Sequence, residues 1–530
     1  MGKFYITTPI YYVNSTPHLG HAYTGVISDI IARYHVSLAE KTFFLTGTDE
    51  HGAKNVRAAE AAGKEVSEFV KKKREVFINL AKALNLSNSD FIFTSDQKRH
   101  WPGAQKLWNE LSENGDIYKG LYKGLYCIGH EAFVTEKDLI DGKCSDHNEV
   151  PEYIEEENYF FRLSKYNAEI KKKIESGELS ILPGTRKNEI LSLLEEGLRD
   201  VSFSRPSRDI SWGIPVPGDA MQTMYVWCDA LTNYITALGY GSEDESKFTE
   251  FWPADLHVMG KEILRFHAAI WPAMLISANL PLPKTILVHG LIQSGGRKMS
   301  KTLGNVVDPF RIIEKYGAES LRYYLSREIP LFSDGDFTEE KFIEAYDGNL
   351  SNGIGNYARR VSTMIKNYFS SELSRPDDGV LASVPMHKKT TFFNSEDRSP
   401  SIELEYFSVS YFIEHSILPK YHTHMKEYDI NSAANLVFAL LGELDGYVQA
   451  NEPFKLIKTD PEKTKAVLWN LAYGLATIAR MLLPFMPNTS AKIFDMLSIG
   501  AAESSWKKFV VKDIPPLFPR LETAKNSAEK

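Results

Sequence analysis

Residues 16–21 read TPHLGH, which sets His18 and His21 three positions apart around Gly20. Two imidazoles so spaced can offer N–H donors to a polyphosphate, and the glycine lets a base or sugar approach the backbone. Taken alone, the hexapeptide serves equally well as a structural histidine pair. Far downstream, residues 295–302 read GGRKMSKT, two glycines followed by Arg297, Lys298 and Lys301. Such a loop carries cations that suit phosphate oxygens and the charge that grows on a pentavalent phosphorus. Alone, it reads more readily as a solvated basic loop. A third set, Cys127-x-x-His130 with Cys144-x-x-His147, has the donor types and gaps of a tetrahedral zinc site and takes two of the chain's 3 cysteines.

The elements that must position these groups can be read from periodicity. The apolar run FYITTPIYY ahead of the histidines reads as a buried strand, and Ile27, Ile30, Ile31 and Tyr34 behind them recur at helical spacing. The histidines therefore fall on a strand-to-helix turn, where an open parallel sheet presents helix N-termini to phosphates. KTFFLTGTDEHG is a second strand running into a polar turn at Asp49. Residues 1–115 read as the first half of the sheet domain, 116–225 as an insertion of short strands and turns, and 226–345 as the second half. That second half ends in a strand, TILVHG, followed by the basic loop. Residues 346–530 read as mostly helical. Val467, Leu471, Leu475, Ile478 and Leu482 share one helix face that stops at Pro484 and Pro487, and 375–400 reads as a long surface loop. The expected class is α/β: a Rossmann-type doubly wound parallel sheet with a connective insertion, followed by an all-α helical bundle.

Composition bounds the alternatives. With 530 residues, 43% hydrophobic and 25% charged, the chain suits a globular protein of two to four domains. Three cysteines argue against a disulfide framework and for a reducing compartment, so a cytoplasmic location is expected. The start shows no charged-then-apolar leader, and no apolar run is long enough for a bilayer, so neither a signal peptide nor a membrane partner is expected. A net charge of −8 gives no global sign of nucleic acid, although a local basic face could still bind one.

His-x-Gly-His at the first strand–helix turn and Lys-Met-Ser-Lys beyond the last sheet strand together resemble the signature pair of class I aminoacyl-tRNA synthetases. Thr302 stands where that class commonly has serine and keeps the hydroxyl. Four blocks in order, TTPIYYVNSTPHLGHAY, FFLTGTDEHGAK, VWCDALTNYI and KMSKTLGNVVDP, resemble the methionyl-tRNA synthetase family from residue 4 to about 517. The resemblance implies ATP-dependent activation of L-methionine, with Mg²⁺ on the pyrophosphate, and transfer to methionine tRNA, including the initiator.

It also implies roles residue by residue. His18, His21, Lys298 and Lys301 would be catalytic, and these with Gly20, Gly260 and Glu262 would hold ATP, Glu262 meeting the ribose. Ile10, Tyr12, Asp49, Arg208, Trp227, Ala230, Tyr234, His267 and Trp271 would hold methionine, with Asp49 taking the ammonium and Arg208 partnering that carboxylate. Aromatic faces suit a soft thioether. Asn356 and Arg360, one helical turn apart, and Phe454 would read the anticodon, the bundle being the anticodon-binding domain. The zinc on Cys127, His130, Cys144 and His147 would be structural; relatives that bind zinc there usually carry more cysteines. The OB-like module that dimerises some relatives is missing, so a monomer is expected. A sister synthetase for another apolar amino acid, a smaller nucleotidyltransferase and a silent tRNA-binding relative remain as rivals.

Overall fold

Residues Lys3–Tyr12 form a central strand (β1), buried from Phe4 to Thr8 and half-buried towards its carboxyl end. A turn leads from it into the helix Leu19–Ser37 (α1), which is itself buried on several faces. Lys41–Asp49 (β2) and Asp90–Phe93 (β3) lie beside β1 on one side. Ser180–Leu182 (β4), Leu256–Gly260 (β5) and Thr285–His289 (β6) complete a six-stranded sheet in the order β3-β2-β1-β5-β6-β4. Every pairing in it is parallel. Parallel strands covered on both faces read as near-continuous apolar runs, which is why β1, β2, β5 and β6 are visible in the sequence. Gly47 is required in β2, because a Cβ there would stand 2.1 Å from the carbonyl oxygen of Ile92 on β3.

The described residues are 2–127, 132–134, 136, 139–145, 149–299, 304–393, 400–501, 503 and 505–521 of this computed structural model. They divide into two units: those of Met1–Ile292, Lys298–Arg311 and Phe332–Asp334, and those of Gln293–Arg297, Ile312–Leu331 and Gly335–Lys530. In the first unit the segment expected as an insertion contains an antiparallel pair, Ile117–Cys127 with Glu152–Phe161. The same segment also returns β4 to the edge of the main sheet. Only three residues of β4 are extended, too few for any periodicity to mark them.

The second unit is chiefly helical, with Asn356–Phe369 (α2), Ile430–Asn451 (α3) and Pro461–Leu482 (α4). Asp429 and Asp460 cap α3 and α4 by accepting from the backbone N–H groups of Ser432 and Lys463. All five apolar residues expected on one face of α4 are buried. The 375–400 stretch departs from the expected loop. Asp378–Ala382 is helical, and Met386–Phe393 pairs antiparallel with Pro400–Phe407. Thr390, Thr391, Phe392 and Phe393 have strand propensity that the neighbouring Pro and Asp residues mask. Among the described residues no helix is long and apolar enough to cross a membrane.

Candidate active site

The sheet order reverses between β1 and β5, and ligands of open α/β sheets bind at the carboxyl ends of strands beside such a point. There the strand ends and the turn before α1 enclose a cavity of about 330 Å³. Ile10 and Tyr12 enter it from β1, Asp49 from β2, Gly260 and Glu262 from the end of β5 and the turn beyond it, and His289 from β6. His18, Gly20 and His21 form one rim, while Trp227, Ala230, Tyr234 and His267 form the other.

The two histidines cap α1 reciprocally. Gly20 N–H donates to His18 Nδ1 at 3.1 Å, and His18 N–H donates to His21 Nδ1 at 3.0 Å. Each Nδ1 is thus an acceptor, so the ring proton of each sits on Nε2. The rings lie 3.9 Å apart, and burial, then the neighbouring His18, holds the His21 pKa well below the usual range. Gly20 is needed here, because a Cβ would meet His18 Cε1 at 2.9 Å. Leu19 N–H is taken by the Val307 carbonyl at 3.1 Å, while His21 and Ala22 N–H bond back to the His18 carbonyl. The helix amides are therefore engaged locally, and the donors this turn can offer an anion are imidazole Nε2–H groups.

Across the cavity, His267 Nδ1 lies 2.9 Å from the Ile263 carbonyl, to which it must donate. Its Nε2 then accepts from the Tyr234 hydroxyl at 2.7 Å. Burial lowers the His267 pKa to about 4, so this ring is neutral at pH 7. His267 is carried on a widened helical turn, Phe266–Ile270, of the kind often found at functional sites. Trp227 stacks on Phe266 with ring centroids 3.8 Å apart and planes 5° from parallel. Its Nε1 has no hydrogen-bond partner among the described residues.

Asp49 is buried, 4% exposed, and its Oδ1 lies 3.4 Å from both the His51 N–H and the Thr94 hydroxyl. Below it, Asp229 is buried between His51 Nδ1 at 2.6 Å and His100 Nε2 at 2.7 Å. Burial would raise the Asp229 pKa, but the two imidazoles outweigh it and leave the carboxyl below its usual range. This network joins the turn after β2 to the helix Val226–Leu231, which supplies Trp227 and Ala230. Lys298 Nζ lies 2.6 Å from Oε1 of Glu262, which lines the cavity. Lys301 lies outside the described residues.

Two residues expected in the pocket stand elsewhere. Arg208 is on the surface, with its side chain 74% exposed and its nearest charged partner Asp209 at 3.4 Å, so it does not meet Asp49 here. A flexible cation beside an acidic chain neighbour finds full solvation outside the cavity. Trp271 is fully buried behind Tyr234, with ring centroids 6.0 Å apart, and belongs to the core that supports the pocket wall. Conversely, Tyr11, Thr24, Asn233 and His289 line the cavity without having been singled out. Of these, His289 carried a readable signal: a polar ring followed by glycine at the end of an apolar strand.

In the second unit, Asn356 opens α2 and borders a groove of about 560 Å³ with Arg359, Ser362, Lys512 and Arg520. Arg360 turns to Asp445 on α3 at 2.9 Å, and Phe454 is 45% exposed on the short helix Pro453–Leu456. The three expected anticodon residues therefore do not share this groove. Cys127 and Cys144 are buried in one small apolar cluster with Val134 and are not in disulfides. His130 and His147 lie outside the described residues, among which no metal-binding group of three or more side chains occurs.

A family model described as tRNA synthetases class I (M) matches residues 4–147 and 134–362. A second, described as the anticodon binding domain of methionyl tRNA ligase, matches 413–520. The chain belongs to the class I methionyl-tRNA synthetase family. It is 42% identical to a methionine–tRNA ligase of Thermotoga maritima over 501 residues, covering 94% of this chain and 75% of that one. Over 531 residues it is 38% identical to the methionine–tRNA ligase of Brucella suis, covering 98% of each. Among solved structures it resembles the Mycobacterium tuberculosis methionyl-tRNA synthetase in complex with methionyl-adenylate, with a TM-score of 0.89 and 33% identity, covering 98% of this chain and 100% of that one. The methionyl-tRNA synthetase family thus supplies the frame in which the cavity acts.

Proposed function

We infer that the chain is a methionine–tRNA ligase: it activates L-methionine with ATP and transfers the methionyl group to the 3′ end of methionine tRNA. The carrying observation is a single cavity with His18 and His21 on one rim and Trp227, Tyr234 and His267 on the other, in a chain of this family. The methionine carboxylate attacks the α-phosphorus in line, forming the acyl–phosphate bond as the bond to pyrophosphate breaks. The terminal ribose hydroxyl of the tRNA then attacks the carbonyl, and AMP leaves.

The geometry supports the following residue roles. With both Nδ1 atoms accepting, His18 and His21 act as neutral Nε2–H donors to the phosphates. Positive charge at the α- and β-phosphates then falls to Lys298 and, from the motif, Lys301. Lys298 rests on Glu262 at 2.6 Å, and ribose and phosphate together would separate that pair. Asp49 receives the ammonium group. Trp227, Ala230, Ile10 and Tyr12 surround the thioether, with the Tyr234–His267 pair beneath them. Arg208 would take part only after a movement of its loop. Mg²⁺ arrives with ATP as counterion to the phosphates. Zinc on Cys127 and Cys144, with His130 and His147, would brace the insertion; the buried pair of thiols supports that donor set. The helical unit, through Asn356, Arg360 and Phe454, would meet the anticodon. A cytoplasmic monomer remains our reading.

ATP–pyrophosphate exchange across a panel of amino acids tests the assignment. Exchange with methionine well above leucine, isoleucine and valine is expected; preference for one of those would replace the reading with a sister specificity.

A further inference from the structure

His289 closes β6, and Thr24 lies on α1 one turn beyond Gly20. Their side chains meet at 2.8 Å, Thr24 Oγ1 to His289 Nε2. Both are buried, and both border the cavity. The other ring nitrogen, Nδ1, lies 2.8 Å from the Gly290 carbonyl. A carbonyl only accepts, so Nδ1 carries the ring proton and Nε2 is a bare acceptor for the Thr24 hydroxyl. Burial lowers the ring's pKa to about 4, so this tautomer persists at neutral pH. Tyr23 meets the ring edge-on at 5.0 Å and holds its plane.

The chain just beyond His289 is tied down on its other side. Leu291 N–H donates to Asp334 at 3.0 Å, and Lys261 holds Asp334 at 2.8 Å. The root of the lysine loop is therefore joined to α1 through Thr24 and to the Gly260–Glu262 turn through Asp334 and Lys261.

We propose that His289 is a positioning residue for adenylate formation: by accepting from Thr24 it sets the His18–His21 turn in register with the strand that leads into the lysine loop. This rests on the reading that His18 and His21 meet the phosphates. The Thr24 hydroxyl has one proton and a second acceptor within reach, the Gly20 carbonyl at 3.2 Å. If the imidazole is removed, that proton turns back onto its own helix, which releases the register without unfolding α1. The effect falls on the transition state, where phosphate contacts matter most, and spares the methionine wall across the cavity.

The test is steady-state pyrophosphate exchange on wild type, Thr24→Val, Thr24→Ser, His289→Phe, His289→Gln and the Thr24→Val/His289→Phe double variant, with melting temperatures alongside. Thr24→Val and His289→Phe should each lower kcat by about 10- to 100-fold, with the methionine KM within about twofold of wild type. Thr24→Ser keeps the hydroxyl and should stay within about threefold. Gln offers an acceptor near Nε2 and should recover most of the Phe loss. The double variant should be no worse than the worse single one. Unchanged kcat in Thr24→Val, a Thr24→Ser loss equal to the valine one, or losses that multiply in the double variant would each overturn the proposal. So would losses that merely track melting temperature. A wild type that fails to exchange with methionine would instead overturn the function it rests on, which keeps the two failures apart.

Discussion

In the proposed reaction, neutral imidazole donors and lysine ammonium groups would divide the work at the residue scale. His18 and His21 spend their Nδ1 lone pairs on the backbone, so in the proposed reaction they would contribute directional hydrogen bonding and lysine would supply the Coulombic stabilisation. Lys298→Ala should therefore lower the pyrophosphate exchange kcat by about 10²-fold or more while the methionine KM stays within about threefold; a methionine KM rise with unchanged kcat would reverse the assignment. Asp49→Asn should do the opposite, raising the methionine KM by about tenfold or more through loss of the charge that receives the ammonium. Acid stability follows from the buried rings. His267 and His289 each titrate near 4 in the folded chain and near 6.5 unfolded. As pH falls through 6.5 the unfolded state binds protons first, so each ring costs about 1.4 kcal/mol of stability per pH unit down to about pH 4. Denaturant unfolding at pH 7 and pH 5 should show a clear loss at the lower pH; equal stabilities would mean that these rings are hydrated or already paired when charged.

Elements bring the site together because parallel strands deliver their carboxyl ends to one edge. β1, β2, β5 and β6 each end at the cavity, although the ends of β1 and β6, Tyr12 and His289, are 277 residues apart in the chain. That convergence depends on tight spacing between strands. Gly47→Ala should destabilise the first unit by about 2 kcal/mol or more, because the new Cβ would meet backbone, the Ile92 carbonyl at 2.1 Å, which cannot turn aside. A melting temperature within a degree of wild type would show that β3 yields instead. Asp49 was readable because an apolar run stops there at a polar turn, whereas Gly260 was singled out only through the family resemblance. β4 was not readable, because three residues leave no periodic mark; in the second unit the alternation of Ile402, Leu404 and Tyr406 with Glu403 and Glu405 is a strand signal, but it lies just beyond the stretch expected as a loop.

On the scale of the whole molecule, the synthetase model covers the sheet unit and runs on into the helical unit as far as residue 362, and the anticodon model lies wholly within the helical unit at 413–520. Adenylate formation and tRNA reading should then be separable by mutation. Phe454→Ala, removing an exposed ring able to stack on a base, should raise the KM for tRNA in aminoacylation by about 10- to 100-fold while leaving pyrophosphate exchange within twofold. A parallel fall in exchange would show that the ring supports the fold instead. The sequence by itself determined the chemistry of this protein: imidazoles at a strand–helix turn, lysines in a glycine-rich loop and the family these blocks resemble are all properties of local order and spacing. Only the tertiary structure decided which side chains face the cavity. It set Trp271 behind Tyr234, Arg208 on the surface, and Thr24 against His289. The physical reason is that burial and hydrogen-bond partnership arise between segments far apart in the chain, and no local pattern of residue types encodes which of two equally apolar or equally charged side chains will be turned inward.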